Sequence, residues 1–259
     1  PKSSLNSATR PLAASPPWHA SSPNKMLKLI KSQIPNTITC LNLVAGCLAC
    51  IFAFSATETV GPLLGYQWVF ILLGIGAIFD FCDGAAARLL DAYSPLGKEL
   101  DSLSDLISFG LAPALLLYNT IEHFSSCSFM PYLAIAIAVG GALRLAKFNI
   151  DENQATTFKG LPIPANAIFW IGACNWIYTN QYPGDIAMAV IILAITFLMV
   201  SNLKMTSLKF KNFDWRENFR RYVLIFAAIS FVAIWGISGF AWTICFYTLI
   251  SVFARKGNE

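Results

Sequence analysis

Long apolar stretches recur along the whole of this chain, and they limit its fold more than any other feature. Roughly 18 or more apolar residues in a row is the length at which an α-helix crosses the hydrocarbon core of a bilayer. There, every backbone N–H and C=O must be satisfied within the segment itself. Eight apolar segments can be marked, at about residues 36–55, 62–82, 103–119, 124–143, 161–178, 186–203, 222–237 and 240–254. Only Ser238-Gly239 separates the last two, which read either as a tight helical hairpin or as one long, tilted helix. The count is therefore eight, with seven as the alternative. Composition agrees: 56% of the 259 residues are hydrophobic and 12% are charged, about half the ~25% charged share of soluble domains. The expected fold is all-α, a polytopic membrane helix bundle of about eight transmembrane helices.

The charges alternate with the segments. Lys25, Lys28 and Lys31 precede the first segment, Arg88 and Lys98 follow the second, and Arg144, Lys147 and Lys159 follow the fourth. A basic cluster from Lys204 to Arg221 follows the sixth, and Arg255 and Lys256 close the chain. The intervening connections hold only the acids Glu58, Glu122 and Asp185. All eighteen Lys and Arg residues thus fall on one side, which the positive-inside rule makes cytoplasmic, with both termini there. The net charge of +4 is accounted for by topology, and no nucleic-acid partner is expected.

Residues 1–25 are rich in Ser, Pro and Ala and lack the apolar core of a signal peptide. They are expected to be a disordered segment or an expression remnant, with Met26 a natural start and residues 26–259 the membrane domain. The stretches Met26–Ile34 and Lys209–Arg221 mix bases with apolar side chains, as segments lying along a membrane surface do. Each is equally consistent with an ordinary basic flank or loop. Of the seven cysteines, Cys47 and Cys50 form a CxxC. No second pair completes a zinc site, and the cysteines read as small packing residues.

One constellation breaks the apolar pattern. From Asp80 the chain reads Asp-Phe-Cys-Asp-Gly-Ala-Ala-Ala-Arg, then eight residues, then Gly97-Lys-Glu-Leu-Asp101-Ser-Leu-Ser-Asp105. Asp80 and Asp83 are spaced i,i+3, and Asp101 and Asp105 i,i+4, so each pair shares one face of a helix. The turn-forming Tyr93–Gly97 lies between the two helices, which lets four carboxylates point at one another. Ionisable groups in a membrane segment are unfavourable and mark functional sites. Hard oxygen ligands on two helices suit Mg²⁺, Mn²⁺ or Ca²⁺ and, through Mg²⁺, a phosphate-bearing substrate. Gly84 and Ala87 leave room on the same face, and Arg88 presents a planar fork suited to phosphate oxygens.

The pattern D-x2-D-G-x2-A-R-x8-G-x3-D-x3-D, running from Asp80 to Asp105, resembles the signature of the CDP-alcohol phosphatidyltransferases at every fixed position. The resemblance implies six core spans with an active site open to the cytoplasm. It also implies a site for two ions, Mg²⁺ or Mn²⁺, held by Asp80, Asp83, Asp101 and Asp105. Asp105 would be the general base, Gly84, Ala87 and Arg88 would lie against the CDP moiety, and Gly97 would belong to the nucleotide pocket. Homodimers are common in the family, and a homodimer is expected here.

Further stretches resemble the bacterial-type phosphatidylserine synthase branch: residues 34–42, 94–103, 141–149 and 158–165. Eight spans also fit that branch, so CDP-diacylglycerol and L-serine are the expected substrates, with glycerol 3-phosphate or inositol phosphate as alternative acceptors. Arg144 and Lys159 are cations suited to a carboxylate or a phosphate, although Arg144 also serves as a topological anchor. Asn36, Thr39 and Asn42 share a helical side and suit cytidine or ribose, with helix capping as the alternative for Asn36 and Thr39. A divalent-cation transporter would place its carboxylates on widely separated, often broken spans. Here all four fall within one stretch beside a turn.

Overall fold

In the computed structural model, residues 23–150, 159–203, 205 and 214–253 are described. Of the segment 1–25, expected to be disordered, residues 1–22 lie outside these residues, as do residues 209–213 of the Lys209–Arg221 stretch, while Pro23–Lys25 belong to the first helix. The fold is a bundle of helices: α1 (Pro23–Phe54), α2 (Gly65–Leu89), α3 (Pro95–Asp105), α4 (Ala112–Phe124) and α5 (Ile135–Ile150), then α6 (Ile163–Thr179), α7 (Asp185–Val200), α8 (Trp215–Trp235) and α9 (Gly239–Phe253). A π-helical turn, Leu106–Leu111, joins α3 to α4, and 3₁₀ turns at Met130–Ala134 and Gly236–Ser238 precede α5 and α9. The one sheet among the described residues is a small hairpin, Thr59–Val60 against Leu63–Leu64. Its two-residue loop begins at Gly61 (φ +65°), a conformation that favours glycine.

Five helical stretches among the described residues are long and apolar enough to cross a membrane: Gln33–Phe54, Gly65–Leu89, Pro95–Phe124, Met130–Ile150 and Asn218–Val252. The last contains both α8 and α9. There the chain doubles back, since Phe231 meets Phe246 with ring centroids 5.9 Å apart and Trp235 meets Trp242 at 6.0 Å. Residues 231 and 246 would stand about 22 Å apart on one straight helix. Of the two readings of this region, the helical hairpin is the one observed. Apolar side chains also face outward, Ile186 being 85% and Phe197 73% exposed. Helices apolar on every side suit a lipid solvent.

Two boundaries differ from the sequence reading. α1 does not begin at Pro35 but runs through it from Pro23. The third segment starts at Pro95 rather than at residue 103, because Ser94 caps the helix and Pro95 occupies its first turn, where a missing N–H is harmless.

α1 packs against α2, α3 and α4. Its buried stripe is Asn36, Thr39, Asn42, Ala45, Ala49 and Ala53, polar at one end and small at the other. Small residues let helix backbones approach closely in a membrane. At Gly46 a Cβ would overlap the Ser108 backbone and hydroxyl, and at Gly76 it would lie 2.9 Å from Asn42 Oδ1.

Gly46→Val is therefore expected to force α1 off the π turn and destabilise the protein by ~1–3 kcal/mol. A lowered thermal midpoint in detergent checks this, whereas an unchanged midpoint would mean the seam is not close-packed.

Candidate active site

The last turns of α2 carry Asp80, Asp83, Gly84, Ala87 and Arg88. The chain then reverses over five residues, with Asp91 at φ +48°. Ser94 restarts the helix by accepting the Gly97 N–H on its Oγ at 3.0 Å. This reversal sets Asp101 and Asp105 opposite the α2 acids. One carboxylate oxygen from each of Asp80, Asp101 and Asp105 lies within 4.8 Å of the other two. Asp83 is buried, and its Oδ2 accepts the Thr39 hydroxyl at 2.6 Å. Its charge acts on all three of the others.

α1 laces the two halves of the site together. Asn42 is fully buried, and its Nδ2 makes a long contact of 3.5 Å to Asp105 Oδ1. Ser104 Oγ donates to the Thr39 carbonyl at 3.2 Å, and Ser108 Oγ to the Asn42 carbonyl at 3.0 Å. The side chains of α1 therefore address acids on α2 and α3, while its carbonyls receive hydroxyls from α3 and the π turn.

A cavity of about 200 Å³ opens beside the acids, with Asn36, Thr39, Asp83, Gly84, Ala87, Gly97, Lys98 and Asp101 in its wall. A Cβ on Gly84 would meet no atom within 4 Å, so the space in front of it is open. A Cβ on Gly97 would lie 2.9 Å from Asn36 Oδ1 and 3.0 Å from Ser94 Oγ, so α3 starts in contact with α1.

Five of the expected nucleotide-side residues, Gly84, Ala87, Gly97, Asn36 and Thr39, thus share one wall. Arg88 is exposed beside it, and its Nε donates to the Gly84 carbonyl at 3.0 Å. Arg144, on α5, interacts electrostatically with Asp105. Its Nε is buried without a hydrogen-bond partner, and its guanidinium lies 5.8 Å from the centre of the Phe148 ring. Lys159 is half-buried and is not among the residues lining the cavity. The next residue, Gly160 (φ +71°), packs against the carbonyls that end α7.

The sequence reading missed several participants. Lys98 lines the cavity, and its Nζ donates to the Asn149 carbonyl at 3.4 Å. Ser104, Ser108 and Asn166 are fully buried polar residues around the acid-bearing helix. An amide within the apolar segment 161–178, one of two there with Asn175, was the available signal for Asn166.

Three converging carboxylates with a fourth alongside form a hard-oxygen donor set that fits a divalent cation. The open space before Gly84 would admit a phosphate-bearing group next to it.

Comparisons with known proteins agree with this geometry. The family model for CDP-alcohol phosphatidyltransferase matches residues 32–235. The chain is similar to a protein of Methanocaldococcus jannaschii named CDP-diacylglycerol–serine O-phosphatidyltransferase, 36% identical over 212 residues, covering 82% of this chain and 88% of that protein. It is 36% identical over 182 residues to the Bacillus subtilis protein of the same name, covering 68% of this chain and 91% of the relative. An archaetidylserine synthase of Methanothermobacter thermautotrophicus is 30% identical over 174 residues, 66% of this chain and 68% of its own. With Asp83, Gly84, Ala87, Gly97 and Asp101 of its signature lining one cavity and the family model spanning most of its length, this chain belongs to the CDP-alcohol phosphatidyltransferase family.

Proposed function

We propose that this enzyme transfers the phosphatidyl group of CDP-diacylglycerol to the hydroxyl of L-serine, giving phosphatidylserine and CMP. The observation that carries the reading is the convergence of Asp80, Asp101 and Asp105 beside a cavity walled by Gly84 and Ala87. The names of the relatives support serine as the acceptor.

Asp80, Asp83, Asp101 and Asp105 would hold Mg²⁺ or Mn²⁺, with two ions the expected number. When bound, such ions polarise the lipid-side phosphorus and neutralise the charge of departing CMP. The chain's own residues do the rest. Gly84, Ala87 and Gly97 admit the nucleotide against α2 and α3, with Asn36 and Thr39 beside it. Arg88 meets phosphate oxygens as charge builds on them. Asp105 takes the proton of the serine hydroxyl as its oxygen bonds to phosphorus and the P–O bond to CMP breaks. Asn42 steadies Asp105, and the buried, unpartnered Nε of half-buried Arg144 suits the serine carboxylate. Lys159 serves the same anion from the connection before α6.

The reading includes eight crossings, a site facing the cytoplasm and both termini on that side, which the one-sided placement of Lys and Arg supports. The α8–α9 hairpin fits the even count. It also includes a homodimer, on the family resemblance.

Purified protein given CDP-diacylglycerol and Mn²⁺ is expected to release CMP with serine, and not with glycerol 3-phosphate or inositol phosphate. Release with another acceptor alone would discard serine. Asp105→Asn should lower kcat on the order of 100-fold or more, while CDP-lipid binding persists; near-normal kcat would remove Asp105 as base. Gly84→Val puts a side chain into open space. Its thermal midpoint should hold while the KM for CDP-diacylglycerol rises about tenfold, equivalent to ~1.4 kcal/mol. An unchanged KM would mean the lipid nucleotide lies elsewhere.

A further inference from the structure

The helix bearing Asp101 and Asp105 is not uniform, and the irregularity has a cause in the sequence. On an α-helix the Phe109 carbonyl would accept the N–H of residue 113. That residue is Pro113, which has no N–H and whose ring crowds the carbonyl four residues earlier. The backbone opens there into the π turn Leu106–Leu111, and the Ala112 N–H reaches back five residues to the Ile107 carbonyl. A side chain from another helix takes the Phe109 carbonyl: Asn166 Nδ2, on α6, donates to it at 3.1 Å. Asn166 is fully buried and Phe109 is 1% exposed. Without water, an unpartnered carbonyl there is strongly unfavourable.

A π turn holds one residue more than an α turn, so α3 is rotated about 100° relative to α4. α4 is locked in the core by Ala112, Leu116, Leu117 and Ile121, all fully buried. On an unbroken α-helix Asp105 would share that core face, being about three full turns before Leu116. The extra residue turns it towards Asn42 and Asp80.

We infer that Asn166 is a positioning residue: by holding the Phe109 carbonyl it keeps the π turn open, and the open turn sets the aim of Asp105. This rests on the reading of Asp105 as ligand and base.

The test uses the full chain in detergent, with Asp105→Asn as benchmark. Mn²⁺ affinity, thermal midpoint, and kcat and KM for CDP-diacylglycerol at saturating Mn²⁺ are measured for Asn166→Leu, Pro113→Ala and the double variant. Pro113→Ala restores an N–H that satisfies the Phe109 carbonyl in α geometry, so its midpoint should equal or exceed the parent's. Its kcat should nevertheless fall on the order of 100-fold, as small misplacements of reacting groups do, and its Mn²⁺ affinity about tenfold. The KM should rise far less than kcat falls, because of the nucleotide-side residues only Gly97 sits on α3, while Asn36, Thr39, Gly84 and Ala87 sit on other helices. Asn166→Leu should show the same losses, and adding Pro113→Ala should recover its stability but not its turnover. Parent-like kcat and Mn²⁺ affinity in Pro113→Ala overturn the inference, as does restored turnover in the double variant. Mn²⁺ binding needs no acceptor, so a parent protein that binds Mn²⁺ yet ignores serine counts against the serine reading alone, and the Mn²⁺ shift still decides the role of Asn166.

Discussion

Carboxylates gathered between apolar helices repel one another, and the structure around this site is arranged to contain that repulsion. Asp83 is engaged by the Thr39 hydroxyl and Asp105 is touched by the Asn42 amide. Arg144 supplies an opposing charge on the side of Asp105. There is left a three-carboxylate cluster that could hold a cation, since charges in such surroundings are tolerated best when paired.

The same demand shapes the helices. α1 has to come close enough for Thr39 and Asn42 to reach acids on two other helices, and Gly46 and Gly76 make that approach possible. α3 has to begin abruptly, and Ser94 with Pro95 starts it within a few residues of the end of α2. The continuous run from α3 into α4 has to present acids at one end and an apolar core face at the other, and the π turn reconciles these two phases.

The acid pairs were legible in the sequence because their spacing is local: i,i+3 and i,i+4 fix a helix face whatever the tertiary structure does. The apolar segments were legible for a similar reason, since bilayer thickness dictates the length of a span, and five helical stretches among the described residues reach it. The features that escaped depend on contacts between distant segments. The pairing of Thr39 with Asp83 joins residues 44 apart, and the grip of Asn166 on Phe109 joins residues 57 apart. Neither can be derived from periodicity. The reversal between α8 and α9 could not be separated from a long helix because both readings are equally apolar. The packing of Phe231 on Phe246 and of Trp235 on Trp242 distinguishes them.

The buried stripe of α1, polar over Asn36, Thr39 and Asn42 and small over Ala45, Ala49 and Ala53, bears on the order in which the molecule assembles. Chains are made from the N-terminus, so α1 emerges, and reaches the bilayer, ahead of the segments that carry Asp83, Ser104 and Ser108. Its apolar length suffices to hold it there, but its three polar side chains have no partners yet and stay hydrated near one membrane surface. They leave water only when α2 and α3 arrive. The acid cluster is thus completed only after three helices are in place, around side chains of the one made before the other two.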